Sequence, residues 1–265
     1  MVTRPAENHL FTVAAPIPSS ASETAASAVS VQGLARRFGR RWALRGVSLE
    51  VAPGEVVALI GHNGSGKTTL LRLLATAVRP TLGGGSVFGC DLVRDADRVR
   101  ALVGLLGHAP GLYQDLTASE NLRFAQRMMG ERADEAIVDR MLGEVGLERE
   151  GDTRVRGFSS GMQRRLALAR LLLRPPSLVL LDEPFASFDV DGIERVNAFI
   201  VERSAAGAAV IIATHDPDKA ADLIDRTVRL EDGRLGQAGH PERREGSLSR
   251  QGDPSPATRG GRGAA

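Results

Sequence analysis

Apolar and polar residues alternate with a period of two along VSVQGLARRFG and again along WALRGVSLEV. That alternation predicts two antiparallel strands with one buried face each. The segment VVALI, entered through the turn PGE, is different, because its apolar residues run without a break. A short continuous run suits a strand buried on both faces. SLVLLDEP and AAVIIATHD carry two more such runs, the first ending in acids and the second in His215. Between these strands the period changes. TTLLRLLATAV reads as a helix after a glycine-rich loop, GGGSVFGCDL as a turn and a short strand, and residues 107–174 as mainly helical. LTASENLRFAQRMM opens with Thr117 and Glu120 at the spacing of a capping box, and ADEAIVDRMLGEVGL is a further amphipathic helix. RTVRLEDGRL predicts a closing hairpin with Asp-Gly at its turn. Strands alternating with helices predict an α/β domain with a mainly parallel core sheet. The two leading strands add an antiparallel β subdomain, and the helical stretch of about 107–175 reads as an inserted α-helical subdomain.

The pattern fades at both ends. Residues 1–28 and 238–265 are expected to be disordered tails around an ordered domain at 29–237. A short apolar patch near the N-terminus is interrupted by Glu7, Pro16 and Pro18 and is too weak for a signal peptide. The chain of 265 residues is 42% hydrophobic and 25% charged, an ordinary globular composition. A formal net charge of +2 gives no pointer to nucleic acid. Of the basic residues only Lys67 and Lys219 are lysines, which sets Lys67 apart. The single cysteine, Cys90, excludes an internal disulfide and fits a reducing compartment. The most apolar stretch, LALARLLLRPPSLVLLDEP, is cut by Arg170, Arg174 and two prolines. It falls short of the roughly 20 unbroken apolar residues that span a bilayer.

The glycine-rich loop carries the strongest chemical signal. GHNGSGKTT, comprising Gly61, His62, Asn63, Gly64, Ser65, Gly66, Lys67, Thr68 and Thr69, fits G-x-x-x-x-G-K followed by Ser or Thr. It stands after a strand and before a helix, as a phosphate-binding loop of a P-loop NTPase must. The glycines let the backbone curl so that its N–H groups surround phosphate oxygens, Lys67 neutralises the β and γ phosphates, and Thr68 offers a hydroxyl to Mg²⁺. Asp182, at the end of SLVLLDEP, is then the expected acidic partner of Mg²⁺, and Glu183 the general base that polarises the attacking water. A second anion site is suggested by RGFSSGMQRR, where a small polar loop opens a helix whose first N–H groups lack internal partners.

Taken together with FSSGM, these motifs resemble the ATP-binding subunits of ABC transporters over nearly all of the ordered domain. The family signature LSGGQ is matched in part: Ser159 and Gly161 agree, whereas Phe158, Ser160 and Met162 depart. The resemblance implies that Ser159, Ser160, Gly161 and Met162 act on ATP held by a second subunit, in a dimer with homodimer as the expected form. It implies that Phe38 stacks on adenine, with Trp42 as a nearby rival. ASFD, ending in Asp189, resembles the D-loop between two nucleotide sites, and His215 the switch histidine at the γ phosphate. The implied activity is hydrolysis of ATP with Mg²⁺, at the cytoplasmic face of the cell membrane. The channel is then formed by integral membrane permease subunits on separate chains, and nucleic acid is not an expected partner.

His108 stands where the family has a glutamine that joins sheet to helical subdomain; in that place it belongs with Thr68 and Asp182 around Mg²⁺. An imidazole replaces the amide as a hydrogen-bonding group but can change charge with pH. GH-x-PGL followed by LTA-x-ENLRF, with DEPFASFD, is similar to the ATP-binding subunit of the haem exporter of cytochrome c biogenesis. Multidrug exporters are the alternative. A soluble ABC-type ATPase of DNA repair or translation fits less well, because the chain has one phosphate loop, one cysteine and no long heptad run. A phosphate-loop kinase or GTPase lacks support, since no NKxD motif is present.

Overall fold

The computed structural model describes residues 27–186 and 190–236. Asp189 and the tails lie outside the described residues, apart from Ser27 and Ala28 at the N-terminal side. Ala28, assigned by the sequence pattern to the tail, is fully buried in the core, and its carbonyl accepts from the Phe88 N–H at 2.8 Å.

Two sheets carry the fold. Strands β1 (Val29–Phe38) and β2 (Arg41–Val51) pair antiparallel, as their alternation predicts. Strand β3 (Val56–Ile60) belongs to the second sheet. The first is completed by β4 (Leu82–Val87) and β5 (Cys90–Asp91), in the order β2-β1-β4-β5. The triple glycine, expected to be a turn, therefore lies inside β4. The reason is the close approach of β1: a Cβ on Gly85 would sit 2.2 Å from the Ser30 carbonyl oxygen.

The second sheet contains β3, β6 (Val103–Leu106), β7 (Leu178–Asp182), β8 (Ala209–Thr214), β9 (Arg226–Glu231) and β10 (Arg234–Leu235). Its order is β10-β9-β3-β8-β7-β6, parallel throughout except for the terminal hairpin. That hairpin turns at Asp232 and Gly233, both at positive φ (47° and 78°), the conformation for which Asp-Gly is selected. The unbroken apolar runs are buried on both faces. Leu178, Leu180 and Ile211 share a cluster with the helix that follows the phosphate loop and with the antiparallel sheet, while Val179, Leu181 and Ile212 share one with the helical subdomain. The strand β6 has no assignment from the hydrophobic pattern, being four residues long with Gly104 inside it. A Cβ there would lie 2.3 Å from Leu171 Cδ1, so the glycine serves packing against a helix. The helices α2 (Ala96–Leu102) and α6 (Val190–Ala205) likewise go unassigned in the sequence reading.

Four helices follow the pattern. Helix α1 (Lys67–Leu74) ends earlier than its apolar run, because Thr76 turns to a φ of 54°. Helix α3 (Ala118–Met128) has the full capping box: Thr117 Oγ1 accepts from the Glu120 N–H and Glu120 Oε2 from the Thr117 N–H. Helix α4 (Glu135–Glu144) is capped by Asp134, and α5 (Ser160–Leu172) by Ser159. Leu122, Val138 and Leu142 of α3 and α4 share one apolar cluster with Leu166 of α5 and with β7 and β8. The helical subdomain is therefore not a separate core; α5 joins it to the sheet.

Candidate active site

The phosphate loop lies between β3 and α1, at the C-terminal edge of the parallel sheet, where open α/β sheets bind ligands. Gly61 and Gly66 are both hemmed in by backbone, and a Cβ on Gly61 would meet the Leu230 carbonyl oxygen at 2.2 Å; Gly66 is strained as well. With φ at 114° it admits a side chain poorly, and a Cβ would meet the Ala43 carbonyl oxygen at 2.6 Å. The loop is thus clamped between β2 and the terminal hairpin, whose Gly233 N–H donates to the Ser65 carbonyl at 3.0 Å. Lys67 is buried, and its Nζ donates to the carbonyls of Gly61 (2.6 Å) and His62 (3.3 Å). The cation is thereby folded over its own loop, next to the space the loop encloses. His62 is exposed and its Nε2 lies 3.7 Å from Asp232 Oδ1.

Three strand ends converge on this loop. Thr68 Oγ1 donates to Asp182 Oδ2 at 2.8 Å, which ties the first turn of α1 to the end of β7. Asp182 is buried, as an apolar strand end requires, with Thr68 as its partner. Glu183 Oε2 accepts from Thr214 Oγ1 at 3.3 Å and lies 2.9 Å from His215 Nδ1. Thr214 escapes the sequence reading; its only signal is a hydroxyl at the end of an apolar run, immediately before His215. A cleft of about 710 Å³ is lined by Asn63, Gly64, Gly66, Lys67, Thr68, Thr69, His108, Asp182, Glu183 and His215. Phe38 also lines it and is 48% exposed, whereas Trp42 lies outside the lining with Arg37 over its ring. Of the two aromatic candidates, Phe38 is the one that faces the cleft. Arg41, Ala43 and Ala186 complete the wall.

Ser159, Ser160, Gly161 and Met162 do not line this cleft. Ser159 and Ser160 are exposed at the start of α5, and Ser159 Oγ accepts from the Met162 N–H at 3.2 Å. Arg164, from the arginine-rich run that follows FSSGM, is not a solvated charge. It is 5% exposed, and its Nη1 donates to the Glu183 carbonyl at 2.7 Å. Burial depresses its affinity for a proton, and the charges of Asp182 and Glu183 oppose that. Farther along α5, Arg170 donates to the carbonyls of Gly111 (2.6 Å) and Pro110 (3.0 Å), holding the loop that carries the exposed His108.

A phosphate loop ahead of α1 and an acid pair at the end of a parallel strand define the phosphate-loop nucleotide hydrolases. Within that class the chain matches the ABC transporter family over residues 44–186, and it belongs to that family. It is an ATP-binding protein and an ATPase. It is 38% identical over 211 residues to the daunorubicin resistance ATP-binding protein DrrA3 of Streptomyces coeruleorubidus, covering 79% of this chain and 67% of that protein. It is 43% identical over 189 residues to the cytochrome c biogenesis ATP-binding export protein CcmA of Salmonella typhi, covering 70% of this chain and 89% of that protein. Among solved structures it is similar to a dimeric ATP-binding cassette in a post-hydrolysis state bound to ADP and Pi, at a TM-score of 0.73 and 26% identity, covering 80% and 98% of the two chains. Among the described residues no helix is long and apolar enough to cross a membrane.

Proposed function

We propose that this chain powers a membrane exporter of the haem-exporter type used in cytochrome c biogenesis, bound at the cytoplasmic membrane face to permease subunits on separate chains. The observation that carries the ATPase part is the single cleft in which the phosphate loop, the β7 acids and His215 meet. Phe38 stacks on adenine, and the loop from Gly61 to Thr69 surrounds the phosphates with its N–H groups. Lys67 supplies the countercharge. Thr68 and Asp182 fit Mg²⁺, because they offer a hydroxyl and a carboxylate, the hard oxygen ligands that ion prefers. Mg²⁺ when bound neutralises charge on the phosphate oxygens. His108, an imidazole, is suited to that ion only through a water. Glu183 takes the proton of the attacking water, and Thr214 and His215 hold its carboxylate in place. A histidine paired to a carboxylate through Nδ1 keeps Nε2 for the γ phosphate.

The haem assignment is supported by the GH-x-PGL and ENLRF segments and by the likeness to CcmA. A drug exporter is the second reading, favoured by the longer stretch shared with DrrA3. Co-expression with each kind of permease tests both. The expected result is co-purification with cytochrome c assembly permeases and ATP hydrolysis stimulated by haem. Stimulation confined to drug permeases would overturn the haem reading. Recovery with ribosomes or DNA, and never with a membrane protein, would overturn the exporter.

A further inference from the structure

Glu183 is held in an unusual backbone conformation. Its φ is 51°, in the left-handed region, where the Cβ of any residue but glycine crowds the following carbonyl. It also precedes Pro184, whose ring narrows the conformations open to it. A side chain launched from such a backbone points where an ordinary strand end would not send it. Here it points between Thr214 and His215. The conformation persists only if its surroundings impose it. On one side the Glu183 N–H donates to the Ala213 carbonyl at 2.8 Å. On the other, the Glu183 carbonyl accepts from Arg164 Nη1 at 2.7 Å and, more weakly, from the Ala186 N–H at 3.2 Å.

Arg164 is an expensive way to make that bond, because a guanidinium loses its hydration on burial. The opposing charges that act on it are those of Asp182 and Glu183. It sits on α5 one turn and a half past Ser159, so the loop FSSGM and the Glu183 carbonyl are bonded to the same helix. Rotation about ψ of Glu183 would swing the carbonyl off the guanidinium. The short bond from the buried guanidinium therefore resists the motion that would release the carboxylate.

We propose that Arg164 is a positioning residue for hydrolysis: it pins the Glu183 carbonyl, keeps the carboxylate between Thr214 and His215, and ties that pose to the Ser159–Met162 loop through α5. The proposal rests on the reading of Glu183 as the general base. Misplacement of a reacting group by about 1 Å can cost about 10²-fold in rate.

The test compares Arg164→Met and Arg164→Lys with Arg203→Lys. Arg203 is a matched control: it is also depressed by burial and donates to a main-chain carbonyl, that of Pro176, but lies outside the cleft. For Arg164→Met, kcat is expected to fall about 10- to 100-fold while MgATP affinity stays within about twofold. Arg164→Lys should recover part of the loss, and Arg203→Lys should leave kcat unchanged. In a Glu183→Gln background, Arg164→Met should cause no further loss, because no carboxylate remains to be positioned. The proposal is overturned if kcat is unaffected, if MgATP affinity falls as far as kcat, or if the loss is undiminished in the Glu183→Gln background. If Arg164→Met does not fold, Arg164→Lys and Arg164→Gln carry the same comparisons. Near-normal hydrolysis by Glu183→Gln alone would sink the base reading itself; a slow Glu183→Gln with normal Arg164 variants would sink only this proposal.

Discussion

Lys67 and Glu183 make different contributions to the same cleft, and single substitutions separate them. Lys67 is already buried against the Gly61 and His62 carbonyls, so its charge is in place before any phosphate arrives. Lys67→Ala removes a charged donor from the phosphates, and MgATP affinity measured by titration should fall roughly 10- to 100-fold. Glu183→Gln keeps the shape but loses the base. MgATP binding should survive, while steady-state hydrolysis should drop on the order of 10²- to 10⁴-fold. Unchanged affinity in the first variant, or near-normal turnover in the second, would remove that residue from its assigned role.

Helix ends and helix faces carry separable increments of stability. The capping box at the start of α3 satisfies two main-chain donors with two side chains. Thr117→Ala removes one of these bonds at a cost of about 1 kcal/mol. For an ordered domain of this size that is a fall in Tm of about 2–4 °C, read by thermal melting. On α6, burial raises the pKa of Glu202; Arg203 acts against this and Glu144 with it. Its Oε2 is buried without a hydrogen-bond partner among the described residues. A carboxyl whose pKa is raised on folding contributes fully below its unfolded value and loses that contribution as pH rises through the folded one. Glu202→Gln should therefore gain stability over the parent as pH rises from about 4 to 7, with the gain vanishing at the acid end. Melting curves with equal differences at both pH values would contradict this.

For the molecule as a whole, the separation of FSSGM from the cleft of its own chain is the notable feature. It supports a head-to-tail dimer in which each loop meets the partner's nucleotide, with the start of α5 aimed at a phosphate. A mixing experiment tests this. One subunit carries Lys67→Ala and the other Ser159→Arg with Gly161→Asp. If sites are shared, the mixed dimer holds one site with both halves intact, and ATP-dependent dimerisation or nucleotide trapping should return. If each site lies within one chain, no intact site exists. No recovery in mixed dimers shown to form would argue for a loop serving its own chain.

What could be read along the chain was what short-range physics specifies. The phosphate loop is nine consecutive residues whose glycines, lysine and hydroxyl act within one turn. The capping box, the Asp-Gly hairpin and the doubly buried strands are likewise encoded by spacing alone, because their partners are three residues away or repeat with a fixed period. Strand β6 is too short to stand out, whereas α6 buries Val196, Phe199 and Ile200 at helical spacing and is patterned about as strongly as α4, so its helix is legible along the chain. That Phe38 and not Trp42 lines the cleft depends on how the β1–β2 hairpin docks beside the phosphate loop. In the sequence Arg164 is one of several arginines in the run after FSSGM. Its target, the Glu183 carbonyl, is 19 residues away on another element. Such contacts arise when α5 packs against the end of β7, and no local period or propensity encodes that approach.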